Sequence, residues 1–271
     1  MYEALAQAIR AETPAALAEV VEGPDGFVGR KLLVLPGPPV EVRGGLGHPD
    51  LDRVVTRDAL GELAAGLTST RHYGLQGEAR ERDLSVFIES FAPPPRMIIF
   101  GAVDFTAALA KVAKILGYRV TVCDARPVFA TRARFPMADD VVVAWPDKHL
   151  AEVGPGLSRR DAVCVLTHDP KFDVPAIVSA LATDVGYLGA MGSRRTTDER
   201  IVRLREAGVD DAGLDRVMGP IGLDIGARTP EETAVAICAE IIALRTGRDA
   251  PNLRDKDGPI HRDLATVAEE N

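Results

Sequence analysis

Hydrophobic and polar positions follow two different rhythms along this chain, and the rhythm changes at Pro93-Pro94-Pro95. Before the prolines, apolar runs over 16–22, 31–35, 40–42 and 84–91 read as strands. Gly23-Pro24-Asp25-Gly26 and Pro36-Gly37-Pro38-Pro39 sit between them as turns. Residues 51–66 show helical periodicity closed by a glycine. Residues 1–92 are therefore expected to form a small α+β domain. Three consecutive prolines continue neither helix nor sheet interior and make an extended connector. After them, strands expected at 97–100, 119–123, 140–144, 162–166 and 185–190 alternate with helices at 105–116, 174–182, 197–207 and 230–245. The last helix carries its own start signal: Thr229 as cap, Pro230 at the first helical position and Glu232 three after the cap. Such alternation predicts an α/β domain over 96–247, a parallel sheet covered on both faces. The polar tail, 248–271, reads as irregular chain.

In a sheet of this kind ligands bind beyond the carboxyl ends of the strands, so the candidate chemistry is sought there. The first strand runs into Gly101-Ala102-Val103-Asp104 and then a helix, and the second ends at Asp124, 23 residues after Gly101. That spacing matches a Rossmann dinucleotide fingerprint whose middle glycine has become Val103. Gly101, Ala102 and Val103 form the candidate cofactor turn. Asp124 reads either as an acceptor for ribose hydroxyls or as a partner of Arg126. His168-Asp169 ends the fourth strand and offers a general base with its partner, metal ligands, or a locally satisfied histidine. Gly192-Ser193-Arg194-Arg195 opens a helix after the fifth strand. A serine cap, free backbone N–H groups and two arginines make it the strongest case for an anion site in the sequence, the alternative being plain capping with solvated arginines.

Composition trims the alternatives. Of 271 residues, 46% are hydrophobic and 27% charged, as in an ordinary globular protein. A formal net charge of −8 argues against nucleic acid or an anionic membrane as the partner. No apolar run is long enough for a membrane span. Residues 1–11 lack a signal-peptide core, so a cytoplasmic location is expected. Three dispersed cysteines, Cys123, Cys164 and Cys238, fit buried thiols in a reducing compartment, and no spacing resembles a metal site.

Together these segments resemble the XdhC/CoxI family of molybdenum hydroxylase accessory proteins. The stretches that carry the resemblance are Ile98-Ile99-Phe100-Gly101-Ala102, Val122-Cys123-Asp124-Ala125-Arg126, Arg134-Phe135-Pro136, Leu166-Thr167-His168-Asp169, Tyr187-Leu188-Gly189-Ala190-Met191-Gly192-Ser193-Arg194-Arg195 and Pro220-Ile221-Gly222-Leu223-Asp224-Ile225-Gly226-Ala227. A last match begins at Thr229-Pro230-Glu231-Glu232-Thr233. The resemblance implies a Rossmann-like C-terminal domain and a cytoplasmic protein that binds molybdopterin, a pterin with a phosphate, and assists its maturation or insertion into a xanthine dehydrogenase-like client. Two positions depart from the family's pattern. Gly101-Ala102-Val103-Asp104 stands where members typically have a Gly-Ala-Gly-His-like turn, and Gly44-Gly45-Leu46 stands where many have Gly-Gly-Cys. Two other readings stay open at this point. One is an NAD(P)-dependent oxidoreductase with His168 as acid–base. The other is an interaction protein with an empty crevice. A homodimer is compatible with all three.

Overall fold

The two rhythms become two sheets. In a computed structural model, which describes residues 1–78 and 81–255, the first part runs α1 (Tyr2–Arg10), β1 (Ala15–Glu22), β2 (Lys31–Leu35), β3 (Glu41–Gly44), α2 (Pro49–Ala65), β4 (Ser69–Tyr73) and β5 (Leu84–Phe91). The strands make an antiparallel sheet in the order β3-β2-β1-β5-β4. On one face α2 buries Leu51, Val55, Ala59 and Leu63 against Ala16, Ala18, Val20 and Val86. On the other, α1 packs Leu5 and Ala8 against Ala15 and Leu33.

After the prolines come β6 (Arg96–Phe100), α3 (Asp104–Ile115), β7 (Arg119–Cys123), β8 (Asp140–Val142), α4 (Pro146–Val153), β9 (Ala162–Val165), α5 (Pro170–Leu181), β10 (Tyr187–Ala190), α6 (Arg194–Glu206), α7 (Asp211–Asp215), β11 (Val217–Met218) and α8 (Pro230–Arg245). These strands form one parallel sheet in the order β8-β7-β6-β9-β10-β11. The chain starts at the centre, steps outward to β8, then crosses back to lay β9 beside β6. This is the Rossmann strand order, and its switch point lies between β6 and β9. Central strands are apolar without alternation because both faces are covered. Met97, Ile99, Val120 and Val122 pack with Leu109 of α3 and with Ile237 and Ile241 of α8. Ile98, Phe100, Val163 and Val165 pack with Leu150 of α4 and with Ala176 and Ile177 of α5. Side chains of this size contribute about 1.5–3 kcal/mol each when fully buried.

Several boundaries differ from the sequence expectation. β8 stops at Val142 because the chain turns out to the half-exposed Val143 and reaches Trp145, the cap of α4. α5 begins at Pro170, capped by Asp169, and α6 at Arg194, capped by Ser193, each earlier than hydrophobic periodicity alone indicated. The periodicity also gave no notice of α1, β4, α4, α7 or β11. Of the expected irregular tail, residues 256–271 lie outside the described residues, and Leu253–Asp255 form a single 3₁₀ turn. All three cysteines are buried and free. Burial pushes the Cys123 thiol up to about 12 and that of Cys238 up to about 11, which leaves both as inert thiols. Among the described residues, no helix is long and apolar enough to cross a membrane. Among the same residues, no cluster of three His, Cys, Asp or Glu side chains is placed to hold a metal.

Candidate functional site

At the carboxyl end of β6 the chain turns at Gly101 with φ +108°. A Cβ there would stand 2.7 Å from Thr167 Cγ2 and 3.1 Å from its backbone nitrogen, so the turn requires glycine for two reasons. It lies hard against the end of β9, at the switch point. The turn is also closed from within. The Ala102 N–H donates to Asp124 Oδ2 at 2.8 Å, and Thr106 Oγ1 donates to the Gly101 carbonyl. Arg134 Nη1 donates to the Ala102 carbonyl at 3.0 Å and Arg134 Nη2 lies 3.7 Å from the exposed Asp104. Val103 takes the cap position of α3 without a side-chain bond.

Asp124 is only 4% exposed. Besides Ala102 it accepts from the Arg126 N–H and Nε, both at 2.9 Å, and from Arg126 Nη2 at 2.8 Å. Burial pushes its carboxyl up, but the Arg126 side chain and the backbone donors outweigh that and hold it below the usual carboxylate range. A carboxylate with this many donors has little capacity left for a ribose. Its partner Arg126 lies over the Phe129 ring at 4.5 Å and the Phe172 ring at 5.9 Å, and Phe172 stacks on Trp145 with centroids 4.8 Å apart. Phe129 and Trp145 are both exposed, so this rim of the crevice carries an aromatic surface.

On the other side of the switch point, His168 and Asp169 part company. Asp169 caps α5, accepting from the Lys171 N–H at 3.0 Å, while the exposed His168 lines a small notch. The element with buried charge is one that the sequence did not reveal as a unit. Asp173, at the first turn of α5, accepts from Thr167 Oγ1 through one oxygen and from Arg200 Nη2 through the other at 2.9 Å. The same Nη2 donates to the Met191 carbonyl at 2.7 Å, while Nη1, equally buried, meets no acceptor among the described residues. Burial pushes the Asp173 carboxyl up to about 6 against the opposing pull of Arg200. Arg200 was missed because a buried arginine is decided by a partner 27 residues away. Its one sequence signal is its place between Thr196 and Leu204, four residues from each, on the face of α6 that Leu204 buries.

Above that pair, Ser193 caps α6 by accepting from the Thr196 N–H at 3.1 Å. The N–H groups of Arg194 and Arg195, at the first helical positions, have no intrahelical acceptor. Both side chains project into solvent, and Arg195 is paired with Glu199 at 3.1 Å. The glycine loop after β11 is structural: the Ile221 N–H donates to Ala190 and the Gly222 N–H to Glu240, which also receives the Tyr187 hydroxyl. The structure thus gathers Gly101, Ala102, Val103, Asp124 and Arg126 on one side of the switch point, and His168, Gly192, Ser193, Arg194 and Arg195 on the other. In the core beside the antiparallel sheet, Leu46 is fully buried.

A Rossmann sheet whose glycine turn is internally satisfied, with N–H groups lacking intrahelical acceptors at the start of α6, departs from the dinucleotide-binding pattern. The family is identified by the model for the XdhC Rossmann domain, which matches residues 97–241, and the chain belongs to the XdhC family. It is 34% identical over 165 residues to a Bacillus subtilis protein named as a probable xanthine dehydrogenase subunit, covering 61% of this chain and 47% of that one. It is 26% identical over 163 residues to the molybdenum cofactor insertion chaperone PaoD of Escherichia coli, covering 60% and 44% of the two chains. The matched segments thus span about half the length of these relatives. Among solved structures, a xanthine dehydrogenase of Bacillus halodurans matches with a TM-score of 0.51 at 21% identity over 92% of this chain and 97% of that one, which shows a shared fold.

Proposed function

We propose that this protein is an accessory protein that holds the molybdenum pterin cofactor as cargo and delivers it to a molybdenum hydroxylase of the xanthine dehydrogenase type. The observation that carries the reading is the closure of the Gly101 turn. A dinucleotide pyrophosphate needs the N–H groups of that turn and a ribose needs Asp124, and here each has been given to the other. The donors left over lie at the first turn of α6, where Gly192, Ser193, Arg194 and Arg195 suit a phosphate. Arg126 with its aromatic neighbours offers a planar surface on the opposite rim. A pterin with one phosphate has a flat part and an anionic part, and these two rims match that pair of demands.

Membership in the XdhC family, and relatives named for xanthine dehydrogenase and for cofactor insertion, support the choice of cargo and of client. Leu46 bears on the step performed. A buried leucine at the Gly-Gly-X position offers no thiol, so the role assigned is holding and transfer, with sulfur chemistry left to other proteins. His168 and Asp169 take no catalytic part in this account. Its test is the fluorescence of oxidised pterin released from protein purified out of a cofactor-producing cell. Pterin near one equivalent per chain supports the reading. Pterin at the background of an unrelated Rossmann protein, together with measurable affinity for NAD or NADP, overturns it in favour of an oxidoreductase.

A further inference from the structure

We propose that the notch between His168 and the first two turns of α6 receives one anionic oxygen of a phosphate monoester, with Arg200 Nη1 as its buried donor. For the identity of the ester this rests on the cofactor-holding reading above; the notch itself does not. Three independent features converge on it. Arg200 is 3% exposed, Nη2 makes both of its hydrogen bonds, and Nη1 has no acceptor among the described residues. A buried cationic N–H without a partner is a costly arrangement, and proteins keep such groups where something else supplies the acceptor. The cavity that Arg200 lines, with His168, Asp173, Thr196 and Arg203, has a volume of about 10 Å³. That is room for one water-sized atom, which is a single oxygen and not a whole phosphate. Finally, a Cβ added to Gly192 would stand 3.6 Å from Arg200 Nη1, which places that buried nitrogen next to the capped start of α6.

The geometry assigns a division of labour. The rest of the phosphate would face the N–H groups of Arg194 and Arg195 and the positive end of the helix dipole, while one oxygen enters the notch. Asp173 meets Thr167 through one oxygen and Arg200 Nη2 through the other, and Nη1 makes no hydrogen bond to it. Arg203 lines the same notch, half-exposed, with Nη2 3.6 Å from Glu199. The exposed Arg194 and Arg195 side chains, the obvious pair in the sequence, are then secondary to an arginine buried beneath them.

The full chain is titrated with inorganic phosphate, with adenosine 5′-monophosphate and with molybdopterin, by calorimetry. The double variant Arg200→Met/Asp173→Asn removes both charges together, so that neither is left buried alone. It is expected to weaken phosphate binding by at least about tenfold, the effect of losing one charge-assisted hydrogen bond. Arg194→Ala/Arg195→Ala is expected to weaken it by less than about threefold, as solvent-exposed charges do. Unchanged phosphate affinity in the first variant, a larger loss in the second, or no binding of phosphate by the parent protein overturns the proposal. If the double variant does not fold, Arg200→Lys replaces it. That variant keeps a cation beside Asp173 but removes the fork, and the same loss is expected. Molybdopterin bound by the parent and by the Arg200 variants alike overturns this placement and spares the cofactor-holding reading. Phosphate and the nucleotide bound through Arg200, with molybdopterin ignored, overturns that reading and spares the notch.

Discussion

Replacing Asp173 by asparagine tests whether burial or the Arg200 ion pair dominates this carboxyl. Burial wins in the structure and pushes it up to about 6, against an ordinary value of 3.8. The charges facing it are Arg200 and Arg203 from α6 and Asp169 from the start of α5, with His168 beside the same notch. A carboxyl raised on folding binds its proton more tightly in the native state. Its stabilisation is therefore complete below the unfolded value and is lost as pH rises through the folded one. Worked between pH 4.5 and 7, the loss is about 2 kcal/mol. Asparagine keeps the shape and the bond from Thr167 but does not titrate. Urea unfolding of both proteins at several pH values isolates the group, because every other titration cancels in the difference. The variant should gain about 2 kcal/mol relative to the parent on going from pH 4.5 to 7. Parallel pH profiles would refute the reasoning, and a relative loss would show that Arg200 prevails over burial and holds Asp173 charged.

Three further outcomes follow from the geometry. Asp124→Ala strands the Ala102 N–H and the Arg126 fork, and should cost about 2–3 kcal/mol at pH 7 in chemical unfolding. Because this carboxyl is held low, that deficit should shrink as pH falls through its folded value. Gly101→Ala meets Thr167 at a positive φ and should cost about 2–4 kcal/mol, visible as a lowered urea midpoint with an unchanged slope. Thr229→Ala removes one half of the capping box of α8, and should cost about 1 kcal/mol by the same assay without altering phosphate binding.

The parallel sheet was legible because its strands are buried on both faces and so read as short apolar runs, and because Gly101 and Asp124 mark the ends of the first two. α8 was legible to the residue, since Thr229, Pro230 and Glu232 write its start. α4 was not: only Pro146, His149 and Leu150 are buried, and Asp147, Lys148 and Glu152 mask the apolar side. β4 escaped for a similar reason, its one buried side chain being Tyr73. The sequence placed the candidate segments at the carboxyl edge of the sheet, where they lie, because strand ends can be read in order. It could not tell Asp124 as a ligand acceptor from Asp124 as a partner of Arg126, since that depends on a two-residue turn folding back. Nor could it single out Arg200, which looks like the other arginines of α6 until Asp173 lies beside it.

Binding of the molybdenum pterin cofactor by this chain decides the proposed function. Native mass spectrometry of the intact protein, incubated with the cofactor alone and then with an equimolar mixture of cofactor, NAD and NADP, puts that to the test. The expected spectrum gains the mass of one cofactor per chain in both samples. A spectrum that stays bare with the cofactor, or that gains a nicotinamide dinucleotide from the mixture, contradicts the assignment.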